Sequence, residues 1–468
     1  MSASDFIDEI IGDRLGGSKS SLIFTPQNIV SDMCDLLFIK HDKEYEYIGG
    51  SENNPLRLDS TFLAFADKSG RFPVELFKRL MNTKLLKDVY PDESERRNHI
   101  LNNMIYVYSL SNESVLLARR LLYGSIVSRY NKNINIINDI DLVATCKSNP
   151  TNIENVANTI AKYLGFKNSN GDLIMRFDCA IGNPPYNNDM YLEFVTLGHK
   201  LAKQYDVWIT PAKWQAKGGK ENKAFRRDIV PYMREIVYYP DCIELFGISE
   251  NSGITYYIVT KEVHDEKDII NKAYYQPLVN SEIKRTLNED DTLWNIGSQI
   301  LNKINSKNED KFKLNIIDEY NRKEYTICAS KQWCGSRVSS GAWDMQTSSI
   351  KPSAIGKGGC IFNPAGNIKV IGKIVGLRKG EHDDSGSSVY IFTSDSKDEC
   401  NSFYSWITTK LVSFLILINL KGSIIMNDTT LKYIPDPGQF DHIFTNDEMY
   451  ARYKLTDDEI NIIESVIK

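Results

Sequence analysis

Seven short β-rich runs, separated mostly by segments of helical periodicity, occupy the first 260 residues of this 468-residue chain and restrict its fold more than any other feature. The runs are Thr61–Ala66, Met104–Leu110, Ile134–Ile140, Phe177–Asn183, Asp206–Thr210, Glu235–Tyr239 and Ile254–Thr260. Between the third and fourth, Thr151 and Glu154 form a capping box. Ile153, Val156, Ala157, Ile160, Ala161 and Leu164 then recur at helical spacing, and Gly165 closes the segment. Pro73 opens another helix, with an apolar face of Val74, Phe77, Leu80, Met81 and Leu85. Such alternation predicts an α/β fold with a mostly parallel sheet covered on both faces. Only the loop Pro240–Gly253 separates the last two runs, which predicts an antiparallel hairpin at one edge. In sheets of this kind a ligand sits at the carboxyl ends of the strands.

At one of those ends stands Asn183-Pro184-Pro185-Tyr186, directly behind Phe177-Asp178-Cys179-Ala180-Ile181-Gly182. Two consecutive prolines lack N–H groups and fix φ, so the strand must stop there and present Asn183 and Tyr186 at its tip. An amide and an aromatic ring on a stiff backbone suit the gripping of a planar amine.

The rest of the composition bounds the alternatives. A hydrophobic content of 42% and a charged content of 25% describe a soluble globular protein, and the length suggests two to three domains. No basic leader precedes an apolar stretch, and the run Leu411–Leu420 is too short to span a bilayer, so a cytoplasmic location is expected, with no membrane partner. Eight scattered cysteines without a CxxC pair indicate neither a disulfide framework nor a zinc site. The net charge of −5 is unevenly spread: Lys200–Arg227 holds eight basic residues against two acidic, and Lys331–Gly380 eight against one, with Trp333 and Trp343 nearby. Two basic stretches, one close to the Asn-Pro-Pro-Tyr tip, point to a polyanion partner. After about residue 262 the alternation gives way to charged segments and a Gly- and Ser-rich region from Cys334 to Ser388, read as a separate, partly β domain ending in a helix capped by Thr456, with Glu459 three residues on. The expected domains are therefore 1–262 and 263–468.

In these residues the chain resembles the amino-methyltransferases of bacterial and phage restriction–modification systems, specifically the adenine-N6 enzymes with a C-terminal target-recognition domain. Phe24-Thr25-Pro26-Gln27-Asn28-Ile29-Val30 is similar to the segment that closes over the methyl donor, and Asp67-Lys68-Ser69-Gly70-Arg71-Phe72 stands where the first strand turns into its helix. Asn183-Pro184-Pro185-Tyr186 takes the place of the catalytic loop. Ile209-Thr210-Pro211-Ala212-Lys213-Trp214 and Glu244-Leu245-Phe246-Gly247 resemble segments that complete the target pocket. The resemblance implies a seven-stranded Rossmann-like class I methyltransferase sheet followed by a mixed α+β target-recognition domain. It implies S-adenosylmethionine as methyl donor, no metal, and double-stranded DNA with a flipped adenine as substrate. Donor contacts would come from Phe24, Thr25, Pro26, Asp67, Ser69, Gly70 and Asp139, or Asp141 in place of the last. Asn183, Pro184, Pro185, Tyr186 and Phe246 would be catalytic, and Lys213, Trp214, Lys217, Lys220 and Arg337 would contact DNA.

The chemistry agrees with these roles. Adenine's exocyclic nitrogen is a poor nucleophile, and an acceptor pair, the Asn183 side chain and the Pro184 carbonyl, favours its pyramidal, attacking form. Tyr186 would stack on the base, with Phe246 on its other face, and the base must leave the duplex to reach them. Cytosine-C5 chemistry would need a cysteine after a proline, and no Pro-Cys pair exists; Asn183 rather than serine favours adenine over cytosine-N4.

Some positions depart from the family pattern. The first loop usually opens with Asp-Pro and carries two glycines; here it reads Ala64-Phe65-Ala66-Asp67-Lys68-Ser69-Gly70, with Lys68 at a place that is often glycine. The acidic residue expected after the second strand is replaced by Tyr108, Ser109 and Leu110, leaving Asp67 or Glu113 to compensate. Two further readings follow. A protein-glutamine methyltransferase would use the same loop on a side-chain amide, although the long C-terminal half argues against it. A catalytically inactive DNA-binding homologue would explain the altered donor loop. Too few residues precede Phe24 for an N-terminal nuclease, so any cleavage is expected from a separate restriction endonuclease.

Overall fold

In the computed structural model the chain is described at residues 24–48, 55–109, 111–124, 136–138, 153–168, 170–186, 189–240, 242, 246, 250, 252–274, 281–287, 292–293, 295–307, 309–311, 315–316, 325–330, 335–337, 343–345, 347–350, 368–371, 389–394, 396–421 and 433–467. Its main sheet has nine strands: β1 (Phe62–Asp67), β2 (Ile105–Ser109), β3 (Ile136–Asn138), β4 (Phe177–Gly182), β5 (Ala202–Pro211), β6 (Met233–Tyr239), β7 (Ile254–Val259), β8 (Ile270–Ala273) and β9 (Ser281–Lys284). They lie in the order β3-β2-β1-β4-β5-β7-β6-β8-β9. Only β7 and β9 run against the others.

All seven expected strands form. Two features differ from the expectation. β6 and β7 pair antiparallel as expected but not at an edge, because β7 inserts between β5 and β6, and the sheet passes residue 262 through β8 and β9 to Lys284. The boundary expected at 262–263 therefore falls inside the sheet.

The central strands β1 and β4 are buried along their whole length, as a sheet covered on both faces requires. Their residues divide between two cores, β4 changing face at the register shift between Phe177 and Cys179. Phe62, Ala64, Cys179 and Ile181 face helices α1 (Gln27–Asp35), α2 (Arg71–Met81) and α3 (Asn112–Tyr123). Leu63, Phe65, Phe177 and Ala180 face α4 (Ile153–Leu164), α5 (Met190–Leu201) and α6 (Lys220–Asp228). Helix α2 is turned from its expected face. Leu76, Leu80 and Met81 are buried, while Val74 and Phe77 are only partly so. The rotation buries Arg79, whose guanidinium is met by Glu75 at 2.9 Å and by Asp35 at 2.5 Å. A buried cation of this kind is tolerable only with such partners.

Two glycines set how closely the layers approach. A Cβ on Gly182 would lie 1.9 Å from the Phe65 carbonyl oxygen of the neighbouring strand. A Cβ on Gly198 of α5 would lie 2.1 Å from the Trp208 ring. At the far end of the sheet from the strand tips, Asp178 accepts from Thr61 N at 2.8 Å and from Arg57 at 3.0 Å, clasping the starts of β1 and β4.

Beyond the sheet, α7 (Asn295–Asn305), α8 (Lys397–Ile407), α9 (Lys410–Asn419), α10 (Asn446–Arg452) and α11 (Asp457–Val466) gather into a third core that also includes Ala212, Ala216, Tyr238 and Ala273. Helix α9 is the apolar run seen in the sequence, buried throughout. Thr456 and Glu459 form a complete capping box at α11, as expected. Between α7 and α8 lies a second sheet of five strands, in the order Asn315–Ile316, Val389–Ser394, Tyr325–Ser330, Ile368–Ile371 and Thr347–Ile350. Among the described residues no helix is long and apolar enough to cross a membrane.

Candidate active site

Adjacent strands β1 and β4 bring their carboxyl ends together, and three sequence segments meet there. β1 ends with Ala66 at φ 59°, a left-handed conformation unusual for alanine, and its register against β2 shifts between Phe65 and Asp67. The chain turns at Gly70, which caps α2 at φ 75° and donates its N–H to Asp67 Oδ2 at 2.6 Å. A Cβ at Gly70 would stand 2.9 Å from the Ala118 Cα, so both backbone and space demand glycine. Ser69 is buried beside it, its hydroxyl accepting from Arg71 N at 3.4 Å.

Arg71 reaches across to donate to the Thr25 carbonyl at 2.8 Å, and Asn183 Nδ2 donates to Thr25 Oγ1 at 3.0 Å. Thr25 thereby joins the first loop to the Asn-Pro-Pro-Tyr loop, with Phe24 and Pro26 partly exposed on either side and α1 starting at Gln27. With Nδ2 committed to Thr25, Oδ1 is the acceptor end of the Asn183 amide. Pro184 and Pro185 are buried. Tyr186 is half-buried, edge-on to Tyr191 at 6.4 Å, and its hydroxyl is buried with no hydrogen-bond partner among the described residues. Burial pushes that phenol well above its ordinary range, with Cys242 and Glu250 close enough to add to the effect. Phe246 packs against the same core as Tyr186.

Sequence reasoning did not assign two groups at this edge, Lys68 and Ser109. Lys68 is only 6% exposed, and its Nζ lies 5.6 Å from the centre of the Tyr186 ring. Ser109, paired in register with Asp67, is buried and its hydroxyl has no partner among the described residues. The available signal was substitution itself: both residues stand where the family pattern has something else.

Asp67 is fully buried, and desolvation lifts its carboxyl to about 7 although the Gly70 and Phe72 N–H groups, Lys68 and Arg71 favour the charged form. The same burial brings Lys68 down to about 8, against the pull of Asp67. The unfolded chain ionises Asp67 from 3.8 upward and the folded one only near 7, so stability is drawn down as pH rises through that interval. Asp67→Asn is expected to remove this penalty, on the order of a few kcal/mol. The variant should then match the parent in urea midpoint at pH 4 and exceed it at pH 8; equal midpoints at both would contradict the assignment.

The remaining expected site residues divide. Lys217 and Lys220 are exposed at the start of α6. Lys213 is committed elsewhere, paired with Asp189 and lying 5.9 Å from the Tyr191 ring. Trp214 must be corrected: it is fully buried, donates to Thr210 Oγ1 at 3.2 Å and packs edge-on against Phe225 and Tyr257, so it cannot touch DNA. Its place in a lysine-rich stretch concealed a core residue. Glu113 is exposed. Asp139 and Asp141 lie outside the described residues, as does the Arg337 side chain, whose backbone forms a short strand. Among the described residues, no group of three His, Cys, Asp or Glu side chains is placed to hold a metal ion.

The strand order, with β7 reversed between β5 and β6, is that of a class I methyltransferase sheet. Residues 103–188 match the family model of the Eco57I restriction-modification methylase. Over 329 residues, 58% of this chain and 74% of the relative, the sequence is 24% identical to a Mycoplasma pneumoniae protein described as an uncharacterized adenine-specific methylase. Among solved structures, the M protein of the type I restriction enzyme EcoKI is similar over 64% of this chain and 60% of its own, at 11% identity and a TM-score of 0.35. The methyltransferase subunit of a type I restriction-modification system from Streptococcus thermophilus is similar over 66% and 58%, at 15% identity and a TM-score of 0.34. The chain thus spans about three fifths of the length of these two structures. The resemblance read from the motifs agrees with these comparisons: residues 103–188 are similar to a restriction-modification methylase family, and the chain is similar to a relative described as an adenine-specific methylase.

Proposed function

We propose that this chain transfers a methyl group from S-adenosylmethionine to adenine N6 in DNA, as part of a restriction–modification or phage modification system. The observation that carries the proposal is the Asn183–Thr25 hydrogen bond, which turns the amide so that its oxygen serves as acceptor at the tip of β4. Asn183 Oδ1 and the Pro184 carbonyl then accept the two hydrogens of an exocyclic amine, concentrating charge on its nitrogen in the transition state. The donor supplies a methyl group already carried on a sulfonium leaving group. The protein's task is therefore alignment, for which the buried prolines give a stiff frame. Tyr186 stacks on the flipped base, and Phe246 is the proposed partner for its other face. The buried Asp67 carboxylate and Ser109 hydroxyl, each with an atom lacking a partner among the described residues, fit a donor bearing an ammonium group and hydroxyls. Lys217 and Lys220 contact the DNA backbone, Lys213 positions the pocket wall through Asp189, and the residues beyond β9 read the target sequence.

The test is transfer of labelled methyl from S-adenosylmethionine to mixed-sequence unmethylated DNA, followed by nucleoside mass spectrometry. N6-methyladenine is the expected product. Donor binding without any labelled nucleoside would overturn the DNA reading, and labelled glutamine in added protein would replace it.

A further inference from the structure

Asp67 and Lys68, buried and of opposite sign, stand next to each other in the first loop without forming a direct ion pair. Asp67 is fully buried; its Oδ2 takes the Gly70 N–H, while its Oδ1 has no partner among the described residues. Lys68 is 6% exposed and has no hydrogen-bond acceptor among the described residues, only the face of Tyr186 at 5.6 Å. Buried charges left in this condition are strongly disfavoured unless something else completes them. A lone anion, such as a DNA phosphate, would satisfy Lys68 but crowd a second negative charge against Asp67. A lone cation would do the reverse. A group carrying both charges on adjacent atoms satisfies both.

We propose that Asp67 and Lys68 form a receptor for the zwitterionic amino-acid head of the methyl donor, Lys68 taking the carboxylate and Asp67 the ammonium. The inference rests on the reading that this chain binds S-adenosylmethionine, and it gives the lysine at a usual glycine position a purpose. The loop has exchanged a close backbone approach for a side chain that grips the ligand directly. Lys68 is a positioning residue in this scheme, because it touches the end of the donor remote from the transferred methyl. Its resting place on the Tyr186 ring also means that engaging the carboxylate draws the ammonium away from the surface the target base uses.

Calorimetric titration with two probes tests the assignment. S-adenosylhomocysteine carries the amino-acid head, and 5′-methylthioadenosine lacks it. Lys68→Met should weaken S-adenosylhomocysteine by about 10- to 100-fold, the worth of a charge-assisted hydrogen bond, while changing methylthioadenosine less than about twofold. Lys68→Arg should recover much of the loss. Retained methylthioadenosine binding shows that the variant is folded. Equal weakening of both probes, or of neither, overturns the receptor, as does a parent protein that binds both equally well. A parent that binds neither probe overturns the donor-binding reading itself.

Discussion

Alanine in place of Asn183 is expected to lower the single-turnover rate of methyl transfer by a factor on the order of 10²–10³, the usual loss when one transition-state hydrogen-bonding partner is removed. Binding of S-adenosylhomocysteine should stay within a few-fold of the parent. The reason lies in timing: an amine barely needs the amide oxygen in its ground state, but needs it as the nitrogen becomes tetrahedral. The Thr25 bond adds a second, separable effect. Thr25→Val keeps the amide but frees it to rotate, so a smaller decrease, about tenfold, is expected. Rapid-quench measurement with labelled donor distinguishes the two, and an Asn183→Ala variant at parental rate would remove Asn183 from the chemistry.

Gly182→Ala is expected to destabilise the fold by at least about 3 kcal/mol. The new methyl would fall 1.9 Å from a backbone oxygen and 3.1 Å from the Trp208 ring. The Phe65 oxygen belongs to a strand paired on both sides and cannot turn aside, so β1 and β4 would have to part at the point where both site loops begin. Gly198→Ala makes a useful comparison. Its obstacle is the Trp208 side chain, which is itself held by a 2.6 Å bond from Nε1 to Asp206. Urea denaturation should show a larger loss at Gly182, and an unchanged midpoint there would mean that the strands are less tightly locked than their geometry implies.

Much of the fold was readable because its signals are local. Largely apolar runs such as Phe62–Ala66 and Phe177–Gly182 mark central strands, and prolines mark where one of them stops. What escaped depends on contacts distant in sequence. The entry of β7 between β5 and β6 is a pairing choice that strand composition does not encode. β8 reads Ile-Asn-Lys-Ala, four residues with no apolar pattern, and is a strand because β6 lies beside it. The site behaved alike. Thr25, Asp67, Gly70 and Asn183 were legible as motif residues, whereas the tie of Thr25 to Asn183 bridges 158 positions. Trp214 was misassigned because charge in neighbouring residues says nothing about which way a ring points.

The third core has a bearing on how target specificity in such a chain could be exchanged. Its helices come from both sides of the five-stranded sheet: α7 before it, and α8 to α11 after it. Lys303 of α7 meets Glu459 of α11 at 2.5 Å, and Glu309 takes bonds from both Arg452 and Tyr453. The chain thus leaves the scaffold near residue 311 and returns to it near 396, and the returning helices share their packing with Ala212 and Tyr238 of the main sheet. A graft that replaced everything after residue 262 would tear out all of that core except Ala212, Ala216 and Tyr238. A cassette cut at both ends of the excursion would leave it whole.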